Sequence, residues 1–123
     1  MDDEMVMRHE ESALQRSCVL WFRYQYENLS KLLFAVPNGG ARNQREAAIM
    51  KGEGVTAGVA DCILLVPSKQ YSSLCIEFKT EKGRQSASQL EWQRTAEKAG
   101  NKYVVIRSFD AFISEVESYL KAE

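Results

Sequence analysis

The chain has 123 residues, of which 45% are apolar and 27% are charged, which is the size and balance of one globular domain with a single core. No apolar run approaches the roughly 20 residues that cross a bilayer, and the acidic start of the chain resembles neither a signal peptide nor a transit peptide. We therefore expect a cytoplasmic protein. The cysteines lie in apolar stretches without the paired spacing of a disulfide framework or a zinc site, and they predict buried thiols at Cys18, Cys62 and Cys75.

Charge is unevenly distributed along the chain. The net charge of -1 argues against indiscriminate binding to a polyanion. Residues 1–30 carry six acidic and three basic residues, whereas residues 31–84 carry eight basic and five acidic residues. With a cation bound to some of those acids, the middle of the chain would present a modestly basic surface suited to phosphate groups.

The first half of the chain predicts two helices around a short strand. Helical spacing of apolar residues predicts a long helix over about residues 10–26, preceded by a loose extension at residues 1–8. The apolar run at residues 32–36 predicts a strand that ends at a Pro-Asn-Gly-Gly turn. A helix over about residues 42–51 follows, and then a glycine-punctuated loop over residues 52–58.

The second half predicts three strands and two helices. The continuous apolar run at residues 62–66 indicates a central strand buried on both faces. A turn at residues 67–72 leads to a strand at residues 73–80 and a helix at residues 86–99. A strand at residues 103–106 and a final helix at residues 109–120, capped by Ser108, complete the chain. The order α-β-α-β-β-α-β-α predicts an α/β domain in which a small mixed sheet is covered by helices on both sides.

The strand at residues 73–80 carries two polar side chains on one face. Leu74, Ile76 and Phe78 alternate with Cys75, Glu77 and Lys79, so Glu77 and Lys79 point to the same side of the strand. An acidic residue two positions before a lysine is a weak motif, because an amphipathic strand with a solvated face gives the same pattern.

The neighbouring strand adds a second acid. Asp61 opens the buried run at residues 62–66, where a carboxylate needs a partner to offset its desolvation. If Asp61 pairs with Glu77 or Lys79 across the hairpin, all three side chains meet on one face. The simplest closure pairs Val66 with Ser73 and places Asp61 beside Phe78, on the wrong face. The cluster therefore requires a different loop length or a bulge.

Two carboxylates and a lysine in this arrangement predict metal-dependent chemistry. Carboxylate oxygens can hold Mg²⁺, which keeps several waters and accepts phosphate oxygens as further ligands. Such an ion would polarise a phosphoryl group and help ionise an attacking water, and Lys79 would orient that water or offset developing negative charge. His9 is the only histidine and is expected at the surface, so no histidine-based arrangement competes.

Several motifs carry a family resemblance. Asp61 followed by Glu77-Phe78-Lys79 resembles the PD-(D/E)xK nuclease signature, with Ala60 in place of the proline. A wider ordered set of matching positions covers roughly residues 9–119: Glu11, Gln15, Val36-Pro37-Asn38-Gly39-Gly40, Arg42, Gly54, Gly58-Val59-Ala60-Asp61, Ile76-Glu77-Phe78-Lys79, Gly83, Ser86, Gln89 and Trp92. In that order and spacing the chain resembles the virus-type replication-repair nuclease (VRR-NUC) domain.

The resemblance implies a three-layer α/β/α, restriction-endonuclease-like core that hydrolyses phosphodiester bonds in structured DNA with Mg²⁺ or Mn²⁺. Small stand-alone members of this family resemble homodimeric Holliday-junction resolvases and are often phage-encoded, which implies DNA repair in a bacterial or phage-infected cell. By motif position, the implied metal ligands are Asp61, Glu77, the backbone carbonyl of Phe78 and Glu11, the last directly or through a water. Lys79 would be the catalytic lysine and Gln89 a residue that orders the site.

Other assignments remain open at the level of sequence. Glu10 is adjacent to Glu11 and could be the first-helix acid; either could simply complement the helix dipole. Gln89 could be only the partner of Ser86 in a capping box, and Trp92 is expected to pack in the core. A set of polar and basic residues could contact the DNA backbone or simply face solvent: Asn38, Arg42, Arg45, Lys51, Lys82 and Arg84.

Three functions are compatible with these residues. The resemblance favours a structure-selective endonuclease that acts as a dimer on a branched substrate. A nicking or restriction-type endonuclease on duplex DNA is the second hypothesis, and a non-catalytic DNA-binding module that retains only the fold is the third. The intact set of Asp61, Glu77 and Lys79 argues against the third.

Overall fold

The computed structural model describes residues 2–37 and 43–121. In chain order these residues form α1 (Asp3–Gln25), a 3-10 helix (Glu27–Leu32), β1 (Leu33–Ala35), α2 (Gln44–Gly52), β2 (Cys62–Leu64), β3 (Leu74–Phe78), α3 (Ala87–Lys98), β4 (Lys102–Ile106) and α4 (Phe109–Lys121). The order confirms the sequence-based prediction. The added element is the 3-10 helix, which delays the first strand by one residue.

The four strands form one mixed sheet in the order β1-β2-β3-β4. The pairs β1–β2 and β2–β3 are antiparallel, whereas β4 lies parallel to β3. A parallel pair needs a crossover connection, and α3 supplies it. Helices α1 and α4 pack together and contact β3 and β4, respectively, while α3 contacts β4.

The sheet separates two apolar clusters, which makes the fold a three-layer α/β/α sandwich. The larger cluster joins the sheet to α1 and α4, and the smaller one consists of Ala60, Cys75 and Tyr103, with Trp92 of α3 packed against it. Alternating side chains of β3 supply both clusters, so the strand has two buried faces. The three cysteines are buried free thiols, as the sequence predicts.

The first helix begins earlier than the sequence predicts. Residues 1–8 were expected as a loose extension, but α1 starts at Asp3, and the side chain of Asp2 caps it by accepting a hydrogen bond from the backbone N–H of Met5 at 2.8 Å. Asp3 and Glu4 lie in the first turn, where acidic side chains complement the helix dipole. The acidic start that suggested a polar tail is thus a helix-start signal. None of the described helices is long and apolar enough to cross a membrane.

The hairpin between β2 and β3 has the register that the predicted cluster requires. Cys62 pairs with Ile76 and Leu64 with Leu74, so Asp61 lies opposite Glu77 when the ladder is extended by one residue. Residues 65–73 form the connection, and its tip is closed by a hydrogen bond from the N–H of Ser68 to the carbonyl of Tyr71 at 2.8 Å. The simplest closure, in which Asp61 would have lain beside Phe78, is wrong because the hairpin opens after Leu64.

The early opening also shortens β2. A strand buried on both faces was expected over residues 62–66, but the strand ends at Leu64, and Leu65 is 56% exposed. The N–H of Leu65 donates a hydrogen bond to the carbonyl of Leu32, just before β1, so the contact between the two segments continues beyond the end of β2.

Helix α2 differs from the other helices in its packing. It contains no buried residue, and Ile49 is 56% exposed. Asn43 caps it by accepting a hydrogen bond from the N–H of Glu46 at 2.8 Å. This helix therefore depends on its cap rather than on the described core.

Candidate active site

A cleft of about 550 Å³ lies where the carboxylate-bearing ends of β2 and β3 meet the first turn of α3. All three layers of the fold contribute to it. Its lining residues are Arg8, Glu11, Gly58, Val59, Asp61, Glu77, Lys79, Ser86, Ser88 and Gln89. The cleft therefore contains the three residues of the predicted cluster and also Glu11 and Gln89.

Asp61 is fixed by the neighbouring strand. Its Oδ2 accepts a hydrogen bond from the backbone N–H of Phe78 at 2.8 Å, and its own backbone carbonyl accepts one from Val36 at 2.8 Å. The N–H and C=O of one strand residue point to the same side, so the carbonyl of Phe78 also points towards the Asp61 edge. Asp61 is thus held between β1 and β3 with one carboxylate oxygen directed by the backbone.

Glu77 is the most deeply buried of the site residues, with 2% of its surface exposed. Its Oε2 accepts a hydrogen bond from Nε2 of Gln89 at 2.8 Å and lies 3.6 Å from Nζ of Lys79. Its Oε1 is buried and has no hydrogen-bond partner among the described residues. A buried carboxylate oxygen without a donor is costly unless it carries a proton or meets a cation, and the side chain of Asp61 is the neighbour that can share such a proton or cation.

The two carboxylates share one poorly solvated space. Burial raises the pKa of Glu77, and the nearby charge of Asp61 raises it further, while Lys79 opposes the shift. Burial also raises the pKa of Asp61, against the hydrogen bond from Phe78. A hydrogen bond between the two side chains lowers the pKa of Asp61 and raises that of Glu77, so the pair favours a shared proton or a bound cation.

Gln89 both caps α3 and contacts the site. Its Oε1 accepts a hydrogen bond from the backbone N–H of Ser86 at 2.8 Å, and the hydroxyl of Ser86 accepts one from the N–H of Gln89 at 3.2 Å. Because a backbone N–H can only donate, the capping bond fixes the amide orientation and directs the NH₂ group to Glu77. The capping role and the site-ordering role were posed as alternatives, and one side chain makes both sets of contacts.

Gly58 brings the loop before β2 against α3. Its φ is +83°, and a Cβ at this position would lie 2.2 Å from the carbonyl oxygen of Ser88 and 2.9 Å from the backbone nitrogen of Gln89. Only glycine fits this approach. The contact sets the distance between the segment that carries Asp61 and the helix that carries Gln89.

Glu11, rather than Glu10, faces the site. Glu10 lines a separate cleft with Thr80, Glu81 and Lys82, whereas a Cβ at Gly83 would lie 3.2 Å from Oε2 of Glu11. The loop that carries Gly83 is held by Arg107, whose Nη1 donates to the carbonyls of Thr80 and Gly83 at 2.7 Å each. Of the two first-helix acids, Glu11 is thus the one that lines the cleft with Asp61 and Glu77.

The donor set fits a hard divalent cation. Asp61, Glu77 and the carbonyl of Phe78 offer oxygen atoms, which Mg²⁺ and Mn²⁺ prefer. In the part of the chain that the structure describes, no three His, Cys, Asp or Glu side chains are close enough to hold a metal ion by themselves. Glu11 thus lies in the cleft without forming a three-acid group with Asp61 and Glu77.

Four of the six predicted DNA-contacting residues are described, and these four do not converge on the cleft. Arg45 and Lys51 lie on α2, and Lys82 and Arg84 lie in the loop before α3; all four are exposed, and none lines the carboxylate cleft. Asn38 and Arg42 lie outside the described residues. His9 is exposed and does not line the cleft, in agreement with its predicted surface position.

Sequence reasoning missed two features of the cleft. Arg8 lies three residues before Glu11 on α1 and lines the same cleft; helical spacing could have revealed it if α1 had been extended to Asp3. Gly58 was part of the quoted motif, but its contact with α3 is tertiary, and no local pattern reports it.

Comparisons with known proteins agree with this fold. The model of the VRR-NUC domain family matches residues 1–110. A solved structure described as a VRR_NUC domain protein is similar to this chain with a TM-score of 0.79 and 28% identity, and the match covers 91% of this chain and 88% of the other. No curated protein matches the chain at a significant level. The family carries a nuclease-type function with DNA as the substrate, and by the match over residues 1–110 this chain belongs to the VRR-NUC domain family.

Proposed function

We propose that this protein is a metal-dependent endonuclease that hydrolyses phosphodiester bonds in branched DNA, in the manner of a Holliday-junction resolvase. The observation that carries the proposal is the buried, unpartnered Oε1 of Glu77 beside Asp61 and Lys79. A merely structural glutamate at 2% exposure would be expected to have partners on both oxygens.

Asp61 and Glu77 would hold the metal ion, with the carbonyl of Phe78 as a further ligand and Glu11 in contact through water. A divalent ion, when bound, supplies Lewis-acid activation of the phosphoryl group and lowers the pKa of the attacking water. Gln89 donates a hydrogen bond to Oε2 of Glu77, so Oε1 would remain available as the metal ligand. Asp61 is held in the same way, since the N–H of Phe78 occupies its Oδ2.

Lys79 is the cation nearest to the carboxylates. Its side chain is 12% exposed, and its ammonium group lies 3.6 Å from Oε2 of Glu77. Asp61 and Glu77 would hold the metal ion through their carboxylates, and the ammonium group of Lys79 would face the substrate. Lys79 would then donate hydrogen bonds to a phosphate oxygen and offset the negative charge that develops there.

Selectivity for branched DNA and a homodimeric state belong to the same proposal. Each chain has one carboxylate cleft, so cleavage of two symmetric strands of a junction requires two copies related by a two-fold axis. Leu20 and Tyr24 lie one turn apart on α1 and are 65% and 81% exposed, which offers an apolar surface to a second copy.

A cleavage assay tests the proposal directly. An end-labelled immobile four-way junction, a 5′ flap and a plain duplex would be incubated with wild type or Lys79→Ala in Mg²⁺, Mn²⁺ or EDTA. We expect wild type to make paired symmetric nicks in the junction with Mg²⁺ or Mn²⁺, no cleavage in EDTA, and at least about a hundredfold slower cleavage by Lys79→Ala.

Binding separates loss of catalysis from loss of fold. Asp61→Asn and Glu77→Gln should abolish cleavage yet bind the junction with nearly wild-type affinity, because they remove metal ligands and keep side-chain volume. If wild type and Lys79→Ala were equally inert on all three substrates, the enzymatic proposal would be wrong. Cleavage of the plain duplex as fast as the junction would contradict the structure-selective part alone.

A further inference from the structure

Arg8 is a cation that lines the carboxylate cleft and whose charge no described interaction uses. Its guanidinium forms neither an ion pair nor a hydrogen bond with any residue in the ranges 2–37 and 43–121. Lys79, the other cation lining the cleft, is already 3.6 Å from Glu77. An exposed, unpaired arginine at the mouth of an acidic cleft is available to a ligand.

The charge of the cleft requires such a residue. Among the described residues, three carboxylates line the cleft, from Glu11, Asp61 and Glu77, against two cations. A phosphate group that approaches this cleft meets a repulsive field wherever the carboxylates are not neutralised. A guanidinium offers five donors in a planar fork that matches two phosphate oxygens at once, which a lysine cannot reproduce.

The position of Arg8 on α1 defines where the phosphate would lie. Arg8 precedes Glu11 by three residues, so both side chains leave the same face of the helix. Helix α1 packs on the sheet face opposite to α3, whose first turn, with Ser86 and Ser88, forms the other wall of the cleft. The amino-terminal end of α3 is positive through its dipole. Arg8 and this helix end thus place positive charge on the two walls, with the carboxylates between them.

We propose that Arg8 is a phosphate-binding residue of the nuclease site and contacts a DNA phosphate next to the one that is cleaved. This inference rests on the proposed nuclease function, because it takes the carboxylate cleft as the place where the DNA backbone enters. It adds a contact from the first helix, whereas Arg45, Lys51, Lys82 and Arg84 lie outside the cleft lining.

A binding experiment tests the inference without relying on cleavage. Fluorescence anisotropy of a labelled four-way junction in EDTA would be measured over a series of salt concentrations for wild type, Arg8→Ala, Arg8→Lys and Arg16→Ala. Arg16 is the matched control, because it is exposed on the same helix and does not line the cleft. Melting temperatures would be compared in parallel, and Arg8→Ala should match wild type, since its side chain has no described partner.

We expect Arg8→Ala to weaken binding roughly tenfold and to reduce the slope of log K against log salt by roughly 0.9, the value for one lost phosphate contact. Arg8→Lys should recover part of the affinity, and Arg16→Ala should stay within about twofold of wild type. Equal losses for Arg8→Ala and Arg16→Ala would overturn the inference, because they would reflect net charge only. No loss for either variant would overturn it as well.

Substrates with one neutral phosphate locate the contact. A methylphosphonate would be placed in turn at each position around the cleavage point, and wild type and Arg8→Ala would be compared on each. A methylphosphonate at one position should weaken the binding of wild type and leave the binding of Arg8→Ala unchanged. Additive losses of affinity at every position would contradict a direct contact. If wild type binds in an Arg8-dependent way but never cleaves with Mn²⁺, the proposed function fails while the phosphate contact stands.

Discussion

The carboxylate cleft and helix α2 are built in opposite ways. The cleft is assembled from β2, β3 and α3 through contacts at fixed distances, and its central residue, Glu77, is 2% exposed. Helix α2 has no buried residue. Both regions carry residues that the sequence assigned to function. The difference shows that the packed core orders the chemistry, whereas the basic residues of α2 lie on a surface that the core does not order.

The largest expected difference between the two regions concerns their glycines. Gly58→Ala should destabilise the protein by about 2–4 kcal/mol, because the new Cβ would overlap the backbone of α3 at a positive φ. Gly52→Ala is the matched control in α2, where a Cβ meets nothing within 4 Å; it should be neutral or stabilising by up to about 1 kcal/mol. Thermal and urea unfolding measure both.

Similar unfolding free energies for these two variants would contradict the close contact between the loop at Gly58 and α3. A second readout is cleavage under conditions where both variants remain folded. Gly58→Ala should cleave more slowly, since the contact sets the distance from Asp61 to Gln89, whereas Gly52→Ala should cleave at the wild-type rate.

Gln89 gives the next largest effect. Gln89→Ala removes the donor to Oε2 of Glu77 and should lower metal affinity or the cleavage rate about 10- to 100-fold, as the loss of a residue that orients a metal ligand does. The same variant should lose about 1 kcal/mol of stability with its capping bond. Gln93→Ala is the control on the same helix, because that amide contacts Gln85 and Glu97 instead. Equal cleavage rates for the two variants would show that Gln89 is only a cap.

The smallest effect is expected on α2. Arg45→Ala removes an exposed charge with no described partner and should leave the melting temperature unchanged. If Arg45 contacts the DNA backbone at all, we expect no more than a few-fold loss of junction affinity, recovered at low salt. A loss of cleavage at saturating DNA would contradict the distinction between α2 and the ordered cleft.

Local patterns predicted the elements of this fold well. Alternation along β3 and the apolar run before it identified the two central strands, and the capping pair of Ser86 and Gln89 identified the start of α3. The start of α1 was wrong, because the acidic residues at its beginning resemble a solvated tail as closely as a helix cap. The 3-10 helix at Glu27–Leu32 was missed for a related reason: it buries no residue and so has no apolar periodicity.

The sequence predicted which residues form the candidate site better than it predicted how they lie relative to one another. Side-chain parity placed Glu77 and Lys79 on one face, but the position of Asp61 depended on the length of the hairpin loop, which involves interactions beyond the two strands. Gln89 illustrates the same limit, since its capping role is a local pattern and its bond to Glu77 spans the distance between α3 and β3. Contacts between distant segments decide how the predicted residues meet.

Manganese binding tests the central claim most directly, namely that Asp61 and Glu77 form a metal site. Calorimetric titration of Mn²⁺ would compare wild type with Glu77→Gln, using Glu91→Gln, an exposed acid of α3 outside the cleft, as the matched control. Wild type and Glu91→Gln should bind Mn²⁺ with the same affinity, and Glu77→Gln should bind at least about tenfold more weakly. Equal Mn²⁺ affinity for wild type and Glu77→Gln would contradict a metal site at the buried Oε1 of Glu77.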